Sequence, residues 1–269
     1  MTVIENNFFR LLRIGLFHKP EPIEPLSPWK WRRLYQLSLM HNVAGYLWQG
    51  IQQSQDDFFV SLIPQELKEK WAKTVVQPDE PDEEEHTLTN PLLDHKLQAI
   101  IDKESAKEET PTRILLLNIV RHARTILNEG VSLPQLIDMA LMVKKPANGI
   151  DYDKLNDWVA QLYMQPMADL LGTLLVQLFE FKQEELPFMR RKQEKIAQQL
   201  TEELFDLDNA STDEWYFSQK EDQIFVRTHN SRAMFWHVGH SARYSRLYPS
   251  EAITNFFSSF AKSLTHIEE

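Results

Sequence analysis

Seven glycines in 269 residues leave this chain few places where its backbone can turn tightly or pass close to a ligand. Sheets need glycine at bulges and tight bends, and phosphate-cradling loops need it where backbone meets anion. The scarcity therefore points to helices. Apolar spacing agrees: Leu116, Val120, Ala123 and Leu127 recur at steps of four, three and four residues, the face of a buried helix. Leu170, Leu171, Leu174, Leu175 and Leu178 give a broader stripe, and Ile4, Phe8, Leu11, Leu12, Gly15 and Leu16 a third near the N-terminus. The expected fold is all-α, a mainly helical bundle forming a single domain over residues 1–269, with at most a small β-hairpin near residues 215–228.

Punctuation residues divide these stripes. Pro20, Pro22, Pro25 and Pro28 fall within nine positions, which forbids a helix interior and predicts an extended connector. Ser27 is placed to cap the following helix, with Pro28 at its first position. That helix carries Trp31, Leu34, Tyr35, Leu37 and Leu39 among basic and polar residues. Gly130 suits a left-handed helix end, Pro134 the first turn of the next helix, and Asn148-Gly149 a turn before Asp151, a second candidate cap. RRKQEKIAQQLTEELF, from Arg190, reads as a charged helix with a narrow apolar side. Ser250 is the expected cap of a last helix presenting Ile253, Phe256, Phe257, Phe260 and Leu264 on one face.

The formal net charge is −10, so most of the surface repels phosphate backbones and general nucleic-acid binding is disfavoured. With no cysteine, disulfides, thiolate catalysis and cysteine-ligated zinc are excluded together. Glu5, Arg10 and Arg13 interrupt the first apolar run, so no signal-type segment is expected, and no stretch is apolar enough to span a bilayer. These features predict a cytoplasmic protein with neither nucleic acid nor membrane as partner.

Residues Ile114 to Phe188, above all NEGVSLPQLIDMAL and GIDYDKL, resemble the helical C-terminal half of a nucleotidyltransferase family common in Bacteroidetes. VAGYLWQGI and IPQELKEKW resemble the family's leading helices, LTNPLLDHKLQAIIDK the passage after its catalytic sheet, and FWHVGHSARYSRLYPSEAITNFFSSFAKSL its tail. In that family a mixed sheet carries a Lys-Gly step, a D-x-D segment and a third carboxylate, which together position triphosphate and metal ions. Between Trp71 and Leu88 this chain has only a short, strongly acidic stretch. The resemblance thus implies an acidic linker, residues 77–88, in place of the catalytic sheet.

A search for the catalytic parts finds no Lys-Gly dipeptide. Asp151-Tyr152-Asp153 and Asp206-Leu207-Asp208 have D-x-D spacing but read as helix termini. Asp79, Asp82, Glu83, Glu84 and Glu85 read as a solvated loop that lacks the supporting shell of a metal site. His237 and His240 are spaced to share a helix face, yet their aromatic surroundings favour packing. No catalytic, cofactor-binding or metal residue is assigned, and no cofactor. The basic groups form two clusters: Arg190, Arg191, Lys192 and Lys195, then Arg232, Arg243 and Arg246 interleaved with Phe235, Trp236, Tyr244 and Tyr248. Arg243, Tyr244 and Arg246 from the second cluster, with His122, which lies within RHAR and matches a family position on the core helix, are the candidate ligand patch.

The expected function is that of a non-catalytic helical protein, derived from a nucleotidyltransferase-like ancestor and acting as an interaction or regulatory module. Its partner would be a second copy or a full-length relative that retains the sheet. One alternative is a divergent Mg-dependent nucleotidyltransferase with ligands drawn from Asp94, Asp102 or Asp138. Another is a phosphate- or carbohydrate-ligand binding module.

Overall fold

A computed structural model describes residues 1–76, 86–105, 110–128, 130–145, 147, 149–205 and 244–254. The regular elements among them are all helical. They run α1 (Val3–Phe17), α2 (Pro28–Met40), α3 (Ala44–Gln53), α4 (Phe58–Ser61), α5 (Gln65–Trp71), α6 (Pro91–Ser105), α7 (Pro111–Asn128), α8 (Leu133–Lys144), α9 (Tyr152–Gln161), α10 (Gln165–Phe179) and α11 (Glu194–Phe205). Residues 249–254 are helical and are labelled α12. The protein is all-α over this extent. The hairpin expected at 215–228 lies outside the described residues, as does most of the acidic linker. Contacts gather the chain into two compact units, each assembled from three stretches of sequence.

The first unit comprises residues 1–81, 132–148 and 174–187. Thr2 and Glu5 form a reciprocal capping box at the start of α1, which satisfies two of its orphan amides. Phe8, Leu11 and Leu12 from the predicted stripe are fully buried, and Leu16 nearly so. Gly15 does more than join that stripe. A Cβ there would lie 2.2 Å from the Tyr46 carbonyl oxygen, and one on Gly50 would lie 2.0 Å from that of Leu11. So α1 and α3 cross backbone against backbone, at a separation no side chain permits.

The proline connector forms no helix, as its prolines predict. It is pinned by paired hydrogen bonds: Asn7 Nδ2 donates to the Glu24 carbonyl at 2.8 Å, and the Glu24 amide donates to Asn7 Oδ1 at 3.0 Å. Ser27 caps α2 and Pro28 opens it. Trp31 and Leu34 are buried, whereas Leu39 turns outward and is 44% exposed. Trp71 is buried under α2 and α3, its indole N–H donating to the Ala44 carbonyl at 3.1 Å.

The second unit comprises residues 82–131, 149–173 and 188–269. Its centre is α7, where Leu116, Val120, Ala123 and Leu127 are completely buried as their spacing predicts, and α9 packs on it. Gly130 ends α7 with φ +96°, its amide donating to the Thr125 carbonyl at 3.1 Å. Asp151 caps α9 by accepting from the Lys154 amide at 3.0 Å, and its own amide donates to Thr112 Oγ1 at 2.8 Å.

Two expectations are corrected. Arg190, Arg191 and Lys192 precede α11 rather than lying in it, because an irregular run is hydrogen-bonded there to Asp169 of α10. Ser250 is inside α12, not its cap. Pro249, whose fixed φ suits a first helical position, opens the helix, and the Tyr248 carbonyl accepts the Ala252 amide at 3.0 Å. Ile253 is 57% exposed, and the other residues of its predicted face lie outside the described residues.

Candidate functional site

The only acid of α10, Asp169, is fully buried, yet it is well supplied with donors. Its Oδ1 accepts from the Arg190 amide (2.8 Å), the Arg191 amide (3.4 Å) and Gln165 Nε2 (2.9 Å). Gln165 Nε2 also donates to the Phe188 carbonyl at 3.0 Å. One turn along, Thr173 Oγ1 donates to the Asp169 carbonyl at 2.7 Å and accepts from the Gln193 amide at 2.9 Å. The bonds that end on the Asp169 carboxylate are charge-assisted and about twice as strong as neutral ones. Together they lay residues 188–193 along α10 and fix where α11 begins.

Gln193 stands at the head of α11, its carbonyl accepting the Ala197 amide at 2.9 Å. The side chains flanking that helix start, Lys192 and Lys195, both face solvent. Arg246 comes to the same place from near the C-terminus. These groups line a groove of about 660 Å³, with Gln193, Glu194, Ile196, Gln199 and Leu247 completing its walls. Three cations face one carboxylate there. Among the described residues, Lys192, Lys195 and Arg246 have no carboxylate within 4.0 Å, so their charge is not spent on ion pairs. The first-turn amides of α11 add positive potential at the same end.

No family model, no curated protein and no solved structure matches this chain.

The structure separates the three described residues of the predicted patch. Arg246 lines the groove. Tyr244 is 2% exposed and directs its hydroxyl to Glu203 Oε1 at 2.8 Å, so it anchors the chain rather than meeting a ligand. His122 is 1% exposed within α7, an interior position away from the groove lining. Arg243 lies outside the described residues, as do Arg232, His237, His240, Asp206, Asp208 and the acidic run 79–85.

Two of the carboxylates considered for metal have other employment. Asp151 is a helix cap, and Asp94 Oδ1 accepts the Leu88 amide at 2.9 Å. Asp138 lies near Tyr46, whose phenol is pushed above its ordinary range by burial first and by that carboxylate second. Asp102 is exposed. Among the described residues, no three His, Asp or Glu side chains gather as a metal site would require. No described helix is long and apolar enough to cross a membrane.

Sequence reasoning counted Lys192 and Lys195 in one basic cluster and Arg246 in another. What it missed is their union, together with Gln193 and Gln199. No local signal marks that union, because about fifty residues separate Lys195 from Arg246.

Proposed function

We propose that this chain is a non-catalytic helical binding module whose ligand carries a phosphate or comparable anion, held in the groove between the start of α11 and Arg246. One observation carries the reading: three cations from two distant segments, without an ion pair among the described residues, converge on a single groove of a protein whose net charge is −10. A lone unpaired cation on such a surface carries no signal; the convergence of three on one groove, against the net negative charge of the chain, is what supports the reading.

The strength of binding follows from exposure. A solvent-exposed ion contact contributes about 0.2–1 kcal/mol, and a helix start about as much again. Three such contacts amount to no more than roughly millimolar affinity for phosphate alone. A physiological ligand must therefore bring further groups, and the carboxamides of Gln193 and Gln199 are placed to meet hydroxyls. Titration calorimetry at low ionic strength, with inorganic pyrophosphate as probe, tests the reading. Binding should be lost in the combined variant Lys192→Glu, Lys195→Glu, Arg246→Glu, and undiminished binding there would sink it. The divergent-enzyme alternative gains instead if the wild-type chain turns over nucleoside triphosphates with Mg²⁺.

The interaction-module reading is proposed alongside, on a separate observation in the first unit. Phe58 and Leu62, one helical turn apart at α4, are 68% and 50% exposed. Apolar side chains paired on one face in this way suit a protein partner, either a second copy or a relative that retains a catalytic sheet. Light scattering across a concentration series addresses it: a monomer at all concentrations would remove the second copy from consideration.

A further inference from the structure

Arg246 and Leu247 belong to no regular element. They sit in a turn, and their place at the groove depends on what fastens residues 244–254 on either side. At the far end Thr254 Oγ1 lies 3.0 Å from Thr89 Oγ1, and three further side chains fasten the segment. Tyr244 Oη donates to Glu203 Oε1 at 2.8 Å, before the turn. Tyr248 Oη donates to the Leu162 carbonyl at 2.8 Å, just after it. Beyond that, Glu251 reaches from α12 to the start of α6. One carboxylate oxygen accepts the Thr89 amide at 2.5 Å and the Thr89 hydroxyl at 2.8 Å, and the other accepts the Asn90 amide at 3.0 Å.

Glu251 differs from the two tyrosines in kind. It is 1% exposed and, among the described residues, has no cation within 4.0 Å. Its charge is balanced only by amides and a hydroxyl at a helix N-terminus. A buried carboxylate is costly unless those donors are in place, so this contact is closer to all-or-none than a surface hydrogen bond. Residues 244–254 therefore dock on α6 as a clasp, with Arg246 carried along.

We propose that Glu251 is the positioning residue of the anion groove: by clasping residues 244–254 to Thr89 and Asn90 it holds Arg246 at the start of α11, so that filling the groove and closing the clasp favour each other. This rests on the anion-binding reading above. A ligand that needs Arg246 binds the closed form better, and by linkage it must stabilise that form to the same extent. Thr89 and Asn90 lead directly from the acidic stretch into α6, so the state of the groove is carried to that junction.

A double-mutant cycle on the full-length chain tests the proposal, with inorganic pyrophosphate as probe and melting temperature recorded in parallel. Glu251→Gln should weaken pyrophosphate binding about fivefold in the native background. In an Arg246→Ala background it should leave affinity unchanged while lowering the melting temperature as before. In hydrogen exchange, pyrophosphate should slow the amides of residues 89–93 in the wild-type chain but not in Arg246→Ala. If Glu251→Gln does not fold, Thr89→Val removes the hydroxyl that meets Glu251 and Thr254 while keeping both amide contacts, and should give the same pattern at smaller amplitude. Equal loss of affinity with and without Arg246, or none in either, overturns the positioning role while leaving the groove intact. Failure of the wild-type chain to bind pyrophosphate overturns the anion reading and this coupling with it.

Discussion

Two arginines show how differently the two units use positive charge. In the first unit, Arg13 is nearly buried and every branch of its guanidinium is spent. Nε donates to Glu21 Oε1 at 2.7 Å, Nη1 to the Leu178 carbonyl at 3.0 Å, and Nη2 pairs with Glu21 and, at 3.1 Å, with Glu180. It joins α1 to the connector and to the end of α10. In the second unit, Arg246 is exposed, sits in a turn and meets no described carboxylate within 4.0 Å. A fork of donors with all its partners supplied is a structural joint. The same fork left in solvent, beside two more unpaired cations, is available for something else. Residue type alone would not separate the two.

The sharpest way to break the contrast is to remove Arg13. Arg13→Ala strands Glu21 and the Leu178 carbonyl, and breaking a pair this buried costs about 3 kcal/mol once the exposure of Glu180 is allowed for. Urea denaturation should show that loss while pyrophosphate binding stays intact.

An intermediate effect is expected two residues from Arg246. The phenol of Tyr248 is raised far above its ordinary range, chiefly by burial and secondarily by Glu251. An acid whose folded pKa lies above its unfolded one keeps its proton longer in the native state. Stability should therefore be unaffected below about pH 10 and fall as the pH rises past it, where only the unfolded chain releases that proton. Tyr248→Phe should cost about 1 kcal/mol at neutral pH, from the lost bond to Leu162, and should flatten the alkaline decline. A decline unchanged by the substitution would assign it to other tyrosines, such as Tyr35 and Tyr46, whose phenols are also raised.

The smallest stability effect belongs to Arg246→Ala. With no ion pair to lose, it should change unfolding free energy by less than about 0.5 kcal/mol. A cost near that of Arg13→Ala would show the two arginines to be alike after all.

Much of the scaffold was legible because helices announce themselves locally. The Leu116-to-Leu127 stripe, Ser27 before Pro28, Gly130 and Asp151 each act within a turn or two of their own position, and each does what its neighbours predict. Ser250 failed for an equally local reason: Pro249 beside it suits a helix start better. The groove was not legible. Arg246 reaches Lys192 and Lys195 only through tertiary docking, by way of Asp169 on one side and Glu251 on the other, and neither carboxylate carries a pattern that announces a distant partner. Tyr244 misled because aromatics interleaved with arginine resemble a stacking surface in sequence, whereas burial turns this ring inward.

The crossing of α1 and α3 has a consequence for how this protein can vary. Because Gly15 and Gly50 bring main chain against main chain, the registry of that joint is set by peptide shape rather than by the identity of the surrounding side chains. Exchanges among similar aliphatics nearby should be forgiven, while a single added methyl at Gly50 would wedge the helices apart. Sequence drift in this region should thus be lopsided, generous around the contact and nearly closed at its centre.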